Sequence, residues 1–372
     1  MKKILTIFGT RPEAIKMAPV VKALQGGTHF ESKVCVTAQH RAILDQVLDI
    51  FQIQPDFDLD IMSQGQDLTD ITMKILSGLK EIIRIWKPDI ILVHGDTSTT
   101  LAASLAGFYH KISVGHVEAG LRTGDISSPW PEEANRKMTS VLTDWHFAPT
   151  NSARDNLVQE RYPLEKIFVT GNTVIDALLD VSSKIDLNAE LRAHLDKKNS
   201  HLDSQKKIIL VTSHRRENFG DGISEICVAI KRLLNKYSDI QVVFPVHPNP
   251  NILVPVRNIL ERTAGVSLVE PLDYLSFVYL MKRSYFILTD SGGIQEEAPS
   301  LAKPVLVMRD NTERPEAVSA GVARLVGTTA ENIFKNACEL LDDKLAYDAM
   351  AKASNPYGDG AAATRIYDAL LR

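Results

Sequence analysis

The sequence contains little cysteine and no large excess of charge of either sign. Its three cysteines, Cys35, Cys227 and Cys338, are odd in number, far apart and not in a metal-ligand spacing. This pattern predicts buried thiols in a reducing compartment rather than disulfides or a zinc site. The formal net charge of -4 argues against nucleic acid or an acidic membrane surface as the main partner. Any anion that the protein binds must therefore meet a few well-placed cations.

Long hydrophobic runs are missing as well. No run in the 372 residues approaches the length that is needed to cross a membrane. The opening segment, residues 1–8, combines two lysines with a short apolar run, but Arg11, Glu13 and Lys16 add charges directly after it. It therefore predicts a first β-strand rather than a signal peptide. Together with the cysteine pattern, these features predict a cytoplasmic protein without membrane insertion.

The sequence also lacks the common glycine-rich nucleotide motifs. Gly9 follows the first predicted strand, but the second and third glycines of G-x-G-x-x-G are missing, and no G-x-x-x-x-G-K-[ST] segment occurs. Tyr162 and Lys166 have the Y-x-x-x-K spacing of short-chain dehydrogenases. However, Pro163 disrupts the helix that this spacing requires. We therefore predict no dinucleotide cofactor.

The sequence does contain an alternation of strand-length apolar runs and helix-period segments. Continuous apolar runs such as Ile90–Val93 suit a parallel sheet that is covered on both faces. The alternation restarts after the polar stretch Lys197–Lys207, for which we predict a linker or exposed loop. The chain also exceeds the size of one typical core. We predict an α/β protein with two doubly wound, Rossmann-like domains of similar size.

Acidic residues follow the predicted strands of the first half. Two such sheets place the carboxyl ends of their strands at one cleft, where ligands of this architecture bind. Asp96 and Glu118 each follow a strand, and Glu132 opens the next predicted helix. Each could serve as a helix cap or dipole partner, but three carboxylates at one edge favour acid/base chemistry.

Two cationic segments lie where a phosphate could bind. Arg11 and Lys16 lie at the start of the helix predicted after the first strand, with Pro12 at its first position. Cations at a helix N-terminus suit a diphosphate, although a solvated basic helix start is the alternative. Arg314, which follows the later predicted strand over residues 304–308, is a further candidate.

A glycine pair provides another candidate phosphate site. Ser291-Gly292-Gly293 lies between a predicted buried strand, Tyr285–Leu288, and a helix-like run, Ile294–Leu301. Glycines allow close approach of the backbone, and the helix start attracts anions. Glu297 lies one turn further, within reach of a ribose beside that phosphate. An ordinary strand-to-helix turn is the alternative.

A histidine at a strand end is the most versatile group of the second half. His214 follows the predicted strand Lys207–Thr212 and is succeeded by two arginines. Its side chain titrates near neutral pH, so it is a candidate for assisting near the phosphate. A core or capping role is the alternative.

Six segments together resemble the bacterial non-hydrolysing UDP-N-acetylglucosamine 2-epimerases, in order and through essentially the whole chain. The segment Ser128–Arg136 resembles the enterobacterial-type members most. The six segments are Gly9–Glu13, His94–Thr97, His116–Arg122, His214–Asn218, Ser291–Gly293 and Asn355–Gly360.

The resemblance implies a glycosyltransferase-B-like fold with two Rossmann-like domains facing one cleft, usually in a homodimer. Residues 1–170, with a C-terminal helix over 356–372, would carry the acid/base residues, and residues 171–355 would bind UDP. It also implies interconversion of UDP-GlcNAc and UDP-ManNAc without NAD or metal. UDP would be eliminated to give 2-acetamidoglucal and then re-added with C2 inverted. The product would supply cell-envelope polysaccharides such as enterobacterial common antigen.

The resemblance also implies roles for individual residues. Asp96, Glu118 and Glu132 would form the acid/base set, assisted by His214. Nucleotide-sugar contacts would come from Arg11, Lys16, Leu272, Phe277, Ser291, Gly292, Gly293, Glu297 and Arg314. Leu272 stands where some members have Gln, so its contact would use the backbone.

Some members of this family are activated by a second UDP-GlcNAc. The matching positions Gln39, Arg215 and His247 are polar, as is Glu132. Ala42 and Gly65, by contrast, depart from the Gln and Arg of activated relatives. Allosteric activation is thus a hypothesis with two departures from the pattern.

Three alternatives remain open from the sequence. The first is a UDP-dependent glycosyltransferase, since a fold does not fix its chemistry. The second is an epimerase of a related UDP-diacetamido-uronate sugar, and the third is a catalytically silent nucleotide-sugar sensor. Three carboxylates with His214 favour elimination, whereas a transferase would need an acceptor site.

Overall fold

The structure is a computed structural model that describes residues 1–37, 41–63 and 65–372, with the side chains of all of these except 41–43. The chain forms two compact units. The first unit contains residues 1–177 and 357–372, and the second contains residues 178–356. Each unit is built on one parallel sheet, which confirms the predicted α/β class.

The first unit holds seven strands in the order β3-β2-β1-β4-β5-β6-β7, and the second holds six in the order β10-β9-β8-β11-β12-β13. In chain order the strands are β1 (Lys2–Phe8), β2 (Phe30–Val36), β3 (Phe57–Asp58), β4 (Ile90–His94), β5 (Ser113–Val117), β6 (Trp145–Ala148), β7 (Ile167–Val169), β8 (Lys207–Thr212), β9 (Ile240–Pro245), β10 (Val266–Val269), β11 (Ser284–Thr289), β12 (Val305–Val307) and β13 (Ala323–Leu325).

Helices lie between the strands, and α7 runs from the first unit into the second. The helices are α1 (Arg11–Gly26), α2 (Arg41–Phe51), α3 (Leu68–Trp86), α4 (Ser98–Tyr109), α5 (Glu132–Val141), α6 (Asn151–Gln159), α7 (Thr173–Leu187), α8 (Ala189–Lys198), α9 (Asp221–Lys236), α10 (Pro250–Leu260), α11 (Tyr274–Arg283), α12 (Gly292–Glu297), α13 (Pro315–Ser319), α14 (Ala330–Asp342), α15 (Lys344–Ala351) and α16 (Ala362–Leu370). Short 3-10 turns cover Leu164–Lys166, Arg216–Asn218 and Ala298–Leu301.

Both sheets reverse their strand order at their centre. In the first unit β1 pairs with β4, as Ile4 lies opposite Ile90, and in the second unit β8 pairs with β11. Ligands of open parallel sheets bind beyond the carboxyl ends of the strands at such a reversal. The loops after β1 and β4, and those after β8 and β11, are therefore the places to look for chemistry.

The central strands are largely apolar, as is expected where helices cover both faces of a sheet. Ile91, Leu92 and Val93 are fully buried, as expected for strands of a doubly wound sheet. All three cysteines are buried, as predicted. No helix in the described part of the chain is long and apolar enough to span a membrane.

Two local predictions were wrong in detail. The stretch Lys197–Lys207 is not a linker from its start, because α8 continues to Lys198 and only the following turns lead to β8. The helix-like run Ile294–Leu301 divides into α12 and a 3-10 turn. The two-residue strand β3 was not predicted, since it is too short to show a period in the sequence.

Candidate active site

A buried carboxylate fixes the loops after β1 and β4 in the first unit. Glu13 accepts hydrogen bonds from the backbone N–H groups of Gly9 at 3.1 Å and Thr10 at 2.7 Å, and from the Thr97 hydroxyl at 2.6 Å. Burial raises the pKa of Glu13, while these hydrogen bonds lower it. Gly9 is required here, because a Cβ atom would lie 2.0 Å from the Thr37 hydroxyl oxygen. Glu13 therefore holds the two loops together.

Asp96 lies in the loop after β4 and is ion-paired with Arg136 of α5 at 2.7 Å. Its backbone carbonyl accepts a hydrogen bond from the Asn135 side chain at 2.8 Å. Burial raises the pKa of Asp96, the Arg136 guanidinium lowers it, and the carboxylates of Glu118 and Glu132 raise it further. The structure thus brings the three predicted carboxylates within electrostatic reach of one another.

Glu118 directly follows β5, and its backbone has a conformation that residues other than glycine rarely adopt. Its backbone φ is 66°, in the left-handed region, which costs a residue other than glycine of order 1 kcal/mol or more. Its carboxylate is ion-paired with Lys16 of α1. Asn172 Nδ2 lies 3.5 Å from Oε1, and His94 Nε2 lies 3.7 Å from Oε2. Strain of this kind is typical of functional residues.

The first two residues of α5 have different roles. Glu133 is fully buried, ion-paired with Arg136 at 3.1 Å, and accepts a hydrogen bond from the Thr123 N–H at 3.1 Å. In Glu132, Oε2 is buried without a hydrogen-bond partner among the described residues. Glu133 therefore stabilises the local structure, whereas Glu132 has a carboxylate oxygen that could take part in proton transfer.

Three buried histidines lie on the adjacent strands β4, β5 and β6. Burial lowers the pKa of His94 and of His116 to about 3 and that of His146 to about 4. All three are therefore neutral at pH 7. His116 Nε2 lies 2.7 Å from the Gly95 carbonyl oxygen, next to Asp96.

Another buried carboxylate organises the second unit. Asp290, directly after β11, is fully buried. It accepts hydrogen bonds from the backbone N–H groups of His214 and Arg215 at 3.0 Å each and from the Ser213 hydroxyl at 2.8 Å. Asn218 donates to it at 2.9 Å. Asp290 therefore sets the conformation of the loop after β8.

Asp290 also orients the ring of His214. Its Oδ1 lies 3.3 Å from His214 Nδ1, and the His247 ring stacks nearby with centroids 6.4 Å apart. Burial lowers the pKa of His214, Asp290 raises it, and the neighbouring Arg215 lowers it. The net direction is downward, so His214 is neutral at pH 7.

Two guanidinium groups lie beside the start of α12. A Cβ atom on Gly292 would lie 3.8 Å from Arg314 Cζ and 3.9 Å from Arg215 Nη2. Arg314 is ion-paired with Glu296, and Arg215 Nη1 lies 3.6 Å from Glu313. Two cations beside a glycine-led helix start create surroundings that favour an anion.

The remaining predicted residues lie at partly or fully exposed positions. Arg11 opens α1, Leu272 precedes α11, Phe277 lies within α11 and Glu297 ends α12, and all four are partly exposed. Gly293 is exposed beside the partly exposed Ser291, whose N–H donates to the Thr289 hydroxyl at 2.9 Å. The prediction for Gln39 lies outside the described residues.

Several contributors were missed from the sequence, namely Glu13, Arg136, Asn172 and Asp290. Asp290 carried a usable signal, because it is an acidic residue directly after an apolar strand. Among the described side chains, no group of three or more His, Cys, Asp or Glu residues is arranged to hold a metal ion.

Known proteins are similar to this chain along nearly its full length. The family model described as UDP-N-acetylglucosamine 2-epimerase matches residues 22–371. The chain belongs to this family. The prediction of an epimerase resemblance is therefore confirmed.

The relatives are similar throughout. A UDP-N-acetylglucosamine 2-epimerase from Yersinia pestis is 61% identical over 99% of this chain and 98% of its own. The Escherichia coli K12 protein of that name is 59% identical over the same shares. A crystal structure of UDP-GlcNAc 2-epimerase from Neisseria meningitidis, bound to UDP-GlcNAc, has a TM-score of 0.91 and 53% identity and covers 99% of both chains. The predicted glycosyltransferase-B-like fold is likewise confirmed.

Proposed function

We propose that this protein is an isomerase that reversibly epimerises UDP-GlcNAc to UDP-ManNAc at C2. Membership of the family supports the substrate and the reaction type. The grouping of carboxylates carries the proposal for this chain, since Glu118 and Glu132 both raise the pKa of Asp96. Carboxylates that lie close enough to shift one another's pKa suit acid/base work.

The proposed reaction proceeds through elimination and re-addition. A base takes the C2 proton, the C–H electron pair forms the C1=C2 bond of 2-acetamidoglucal, and the C1–O electron pair leaves with UDP. Re-addition reverses these steps but delivers the proton to the opposite face of C2. Acid/base groups are therefore needed on both sides of the ring, and we assign these roles to Asp96, Glu118 and Glu132 as a set.

The second unit is proposed to hold UDP. Arg314 and the backbone of Ser291–Gly293 would bind the diphosphate, because guanidinium groups and a helix start favour phosphate oxygens. His214 would assist as a neutral imidazole. Glu297 would contact the ribose, and Phe277, with the Leu272 backbone, would contact the uracil.

The first unit is proposed to hold the acid/base residues, with Arg11 and Lys16 as additional diphosphate cations. We propose that residues 1–170 with 356–372 form the acid/base domain and that residues 171–355 form the UDP-binding domain. We also propose that the enzyme acts in the cytoplasm and supplies cell-envelope polysaccharide synthesis, such as that of enterobacterial common antigen.

A homodimer is proposed on the basis of an apolar surface in the first unit. Phe108 and Tyr109 of α4 and Met138 and Val141 of α5 are between 47% and 74% exposed. Clusters of exposed apolar side chains of this kind commonly mark interfaces between copies. Light scattering on the wild type and on Val141→Asp tests this: a dimer that becomes monomeric supports it, and a monomeric wild type contradicts it.

Allosteric activation by a second UDP-GlcNAc is proposed through Arg215 and His247, with Gln39 and Glu132. It predicts sigmoidal turnover of UDP-GlcNAc and little reaction of UDP-ManNAc until traces of UDP-GlcNAc are added. Hyperbolic kinetics in both directions would contradict this proposal.

A single experiment tests the proposed reaction. The protein is incubated with UDP-GlcNAc in D2O, and the sugar signals are followed by NMR. UDP-ManNAc that carries deuterium at C2 is the expected product. An unchanged sugar in the absence of any acceptor, followed by glycosyl transfer when acceptors are added, would instead identify a glycosyltransferase.

A further inference from the structure

The ion pair between Lys16 and Glu118 joins two residues with different proposed roles. Lys16 is proposed to bind the diphosphate, and Glu118 is proposed to transfer protons. Lys16 lies on α1 and Glu118 follows β5, and their side chains are only 15% and 9% exposed. Removing either partner from such a pair leaves a desolvated charge behind. The pair therefore persists until another charged group replaces one of its members.

Two neutral groups also lie close to the Glu118 carboxylate. Asn172 Nδ2 lies 3.5 Å from one oxygen, and His94 Nε2 lies 3.7 Å from the other. His94 is uncharged at pH 7, since burial lowers its pKa to about 3. The positive charge among these three contacts therefore comes from Lys16, and the two neutral contacts would remain if Lys16 moved away.

A carboxylate that is paired with an ammonium group is a weak base, because the cation stabilises its charged form. Lys16 is also one of two cations near the start of α1 that we assign to the substrate diphosphate. A diphosphate carries negative charge and competes for the same ammonium group. Lys16 thus cannot serve both partners fully at the same time.

We propose that Lys16 exchanges partners on substrate binding, moving from Glu118 to the diphosphate, and so releases Glu118 for proton transfer. The inference rests on the proposed function. No covalent bond is made or broken in this step, since one ion pair replaces another. The acid/base carboxylate is then freed only when a diphosphate is bound, and the same lysine neutralises the charge that develops as UDP departs.

The exchange predicts uptake of protons when UDP binds. A carboxylate that loses its cation holds a proton more readily, so at about pH 5.5 wild-type protein takes up more protons per bound UDP than Glu118→Gln does. Calorimetric titration with UDP in two buffers of different ionisation enthalpy measures this difference. The difference vanishes at alkaline pH. In the described part of the chain, the titratable and charged groups that face Glu118 include Lys16 from α1, His94 from β4, Asp96 from the following loop and His116 from β5.

A lysine variant provides the second arm of the test. Lys16→Met removes the cation beforehand, so UDP binding weakens about 10- to 100-fold and the Glu118-dependent proton uptake disappears. Lys80→Met removes a lysine from an exposed position on α3 and is expected to leave affinity, proton uptake and turnover unchanged.

Two results would overturn the exchange. Unchanged UDP affinity in Lys16→Met would show that Lys16 stays on Glu118. Equal proton uptake in wild type and Glu118→Gln would show that Glu118 never loses its cation. Neither result depends on the epimerase reaction, which the turnover of UDP-GlcNAc by the wild-type protein tests separately.

Discussion

The two units share one architecture, but their side chains at the carboxyl ends of the strands differ in charge. In the first unit the loops after β4 and β5 bring together carboxylates, with Asp96 and Glu118 paired to cations. In the second unit the loops after β8 and β12 bring together His214 and two guanidinium groups. The fold therefore sets where a ligand is bound, and the side chains at the strand ends set what is done to it.

The two sites are nevertheless stabilised in the same way. Glu13 in the first unit and Asp290 in the second are buried carboxylates that accept backbone N–H groups of strand-end loops. Buried carboxylates of this kind are stable only when their oxygens are well supplied with donors. Each unit thus uses one buried acid to hold the loops that carry its candidate functional groups.

The largest expected effect comes from removing a carboxylate of the first unit. Asp96→Asn keeps the shape of the side chain but removes its proton-accepting oxygen, so turnover of UDP-GlcNAc should fall about 10²- to 10⁴-fold. An NMR or chromatographic assay measures this loss. Turnover within a few-fold of wild type would exclude Asp96 from the acid/base set.

Acid should destabilise the first unit strongly. His94, His116 and His146 have a lower pKa folded than unfolded, so below about pH 6.5 the unfolded chain binds protons that the folded chain does not. The free energy of unfolding then falls with falling pH. At pH 5.5 the loss is about 1.4 kcal/mol for each histidine and about 4 kcal/mol for all three.

Hydrogen exchange, measured separately for the two sheets, tests whether acid destabilises the first unit more than the second. The raised pKa values of Glu13 and Asp96 act in the opposite direction, because protonation relieves their burial, and this reduces the net loss. Protection should decline more between pH 7.5 and pH 5.5 in β4, β5 and β6 than in β8 and β11. An equal decline in both sheets would contradict the account.

A smaller effect should come from Asp290→Asn. The carboxylate lies 3.3 Å from His214 Nδ1 and favours the tautomer that carries the proton on that nitrogen. An amide NH2 placed there would donate instead and move the ring proton to Nε2. We expect a folded protein with turnover reduced about tenfold, and ring nitrogen NMR shifts report the tautomer directly.

The matched control is Glu13→Gln in the first unit. There the amide NH2 would face the Thr97 hydroxyl, which can accept as well as donate, while the remaining oxygen still accepts two N–H groups. Turnover should therefore stay close to that of wild type. A loss as large as that of Asp290→Asn would mean that charge, rather than ring orientation, explains both variants.

Much of the fold follows from local pattern. Apolar strands and intervening helices appear in the sequence because each strand of a doubly wound sheet is buried on both faces, as Ile91 and Leu92 show. Asp96 and Glu118 could be selected as site candidates because both directly follow such strands. Whether a residue directly follows a buried strand depends on the neighbouring sequence alone. A local sequence pattern contains this information.

The partners of these residues could not be predicted in the same way. Arg136 meets Asp96, and Lys16 meets Glu118, across long stretches of sequence, so both pairs depend on the assembled sheet. The left-handed backbone of Glu118 was also unexpected, since that region usually requires glycine. The candidate positions could therefore be selected from the sequence, whereas their electrostatic surroundings could not.

The division of labour between the two units is the central claim, and UDP affinity tests it most directly. The Kd of UDP is measured by calorimetry for wild type, Asp96→Asn and Arg314→Met. We predict that Asp96→Asn binds UDP as wild type does, whereas Arg314→Met binds it about 10- to 100-fold more weakly. Equal weakening in both variants, or unchanged binding in Arg314→Met, would contradict the account.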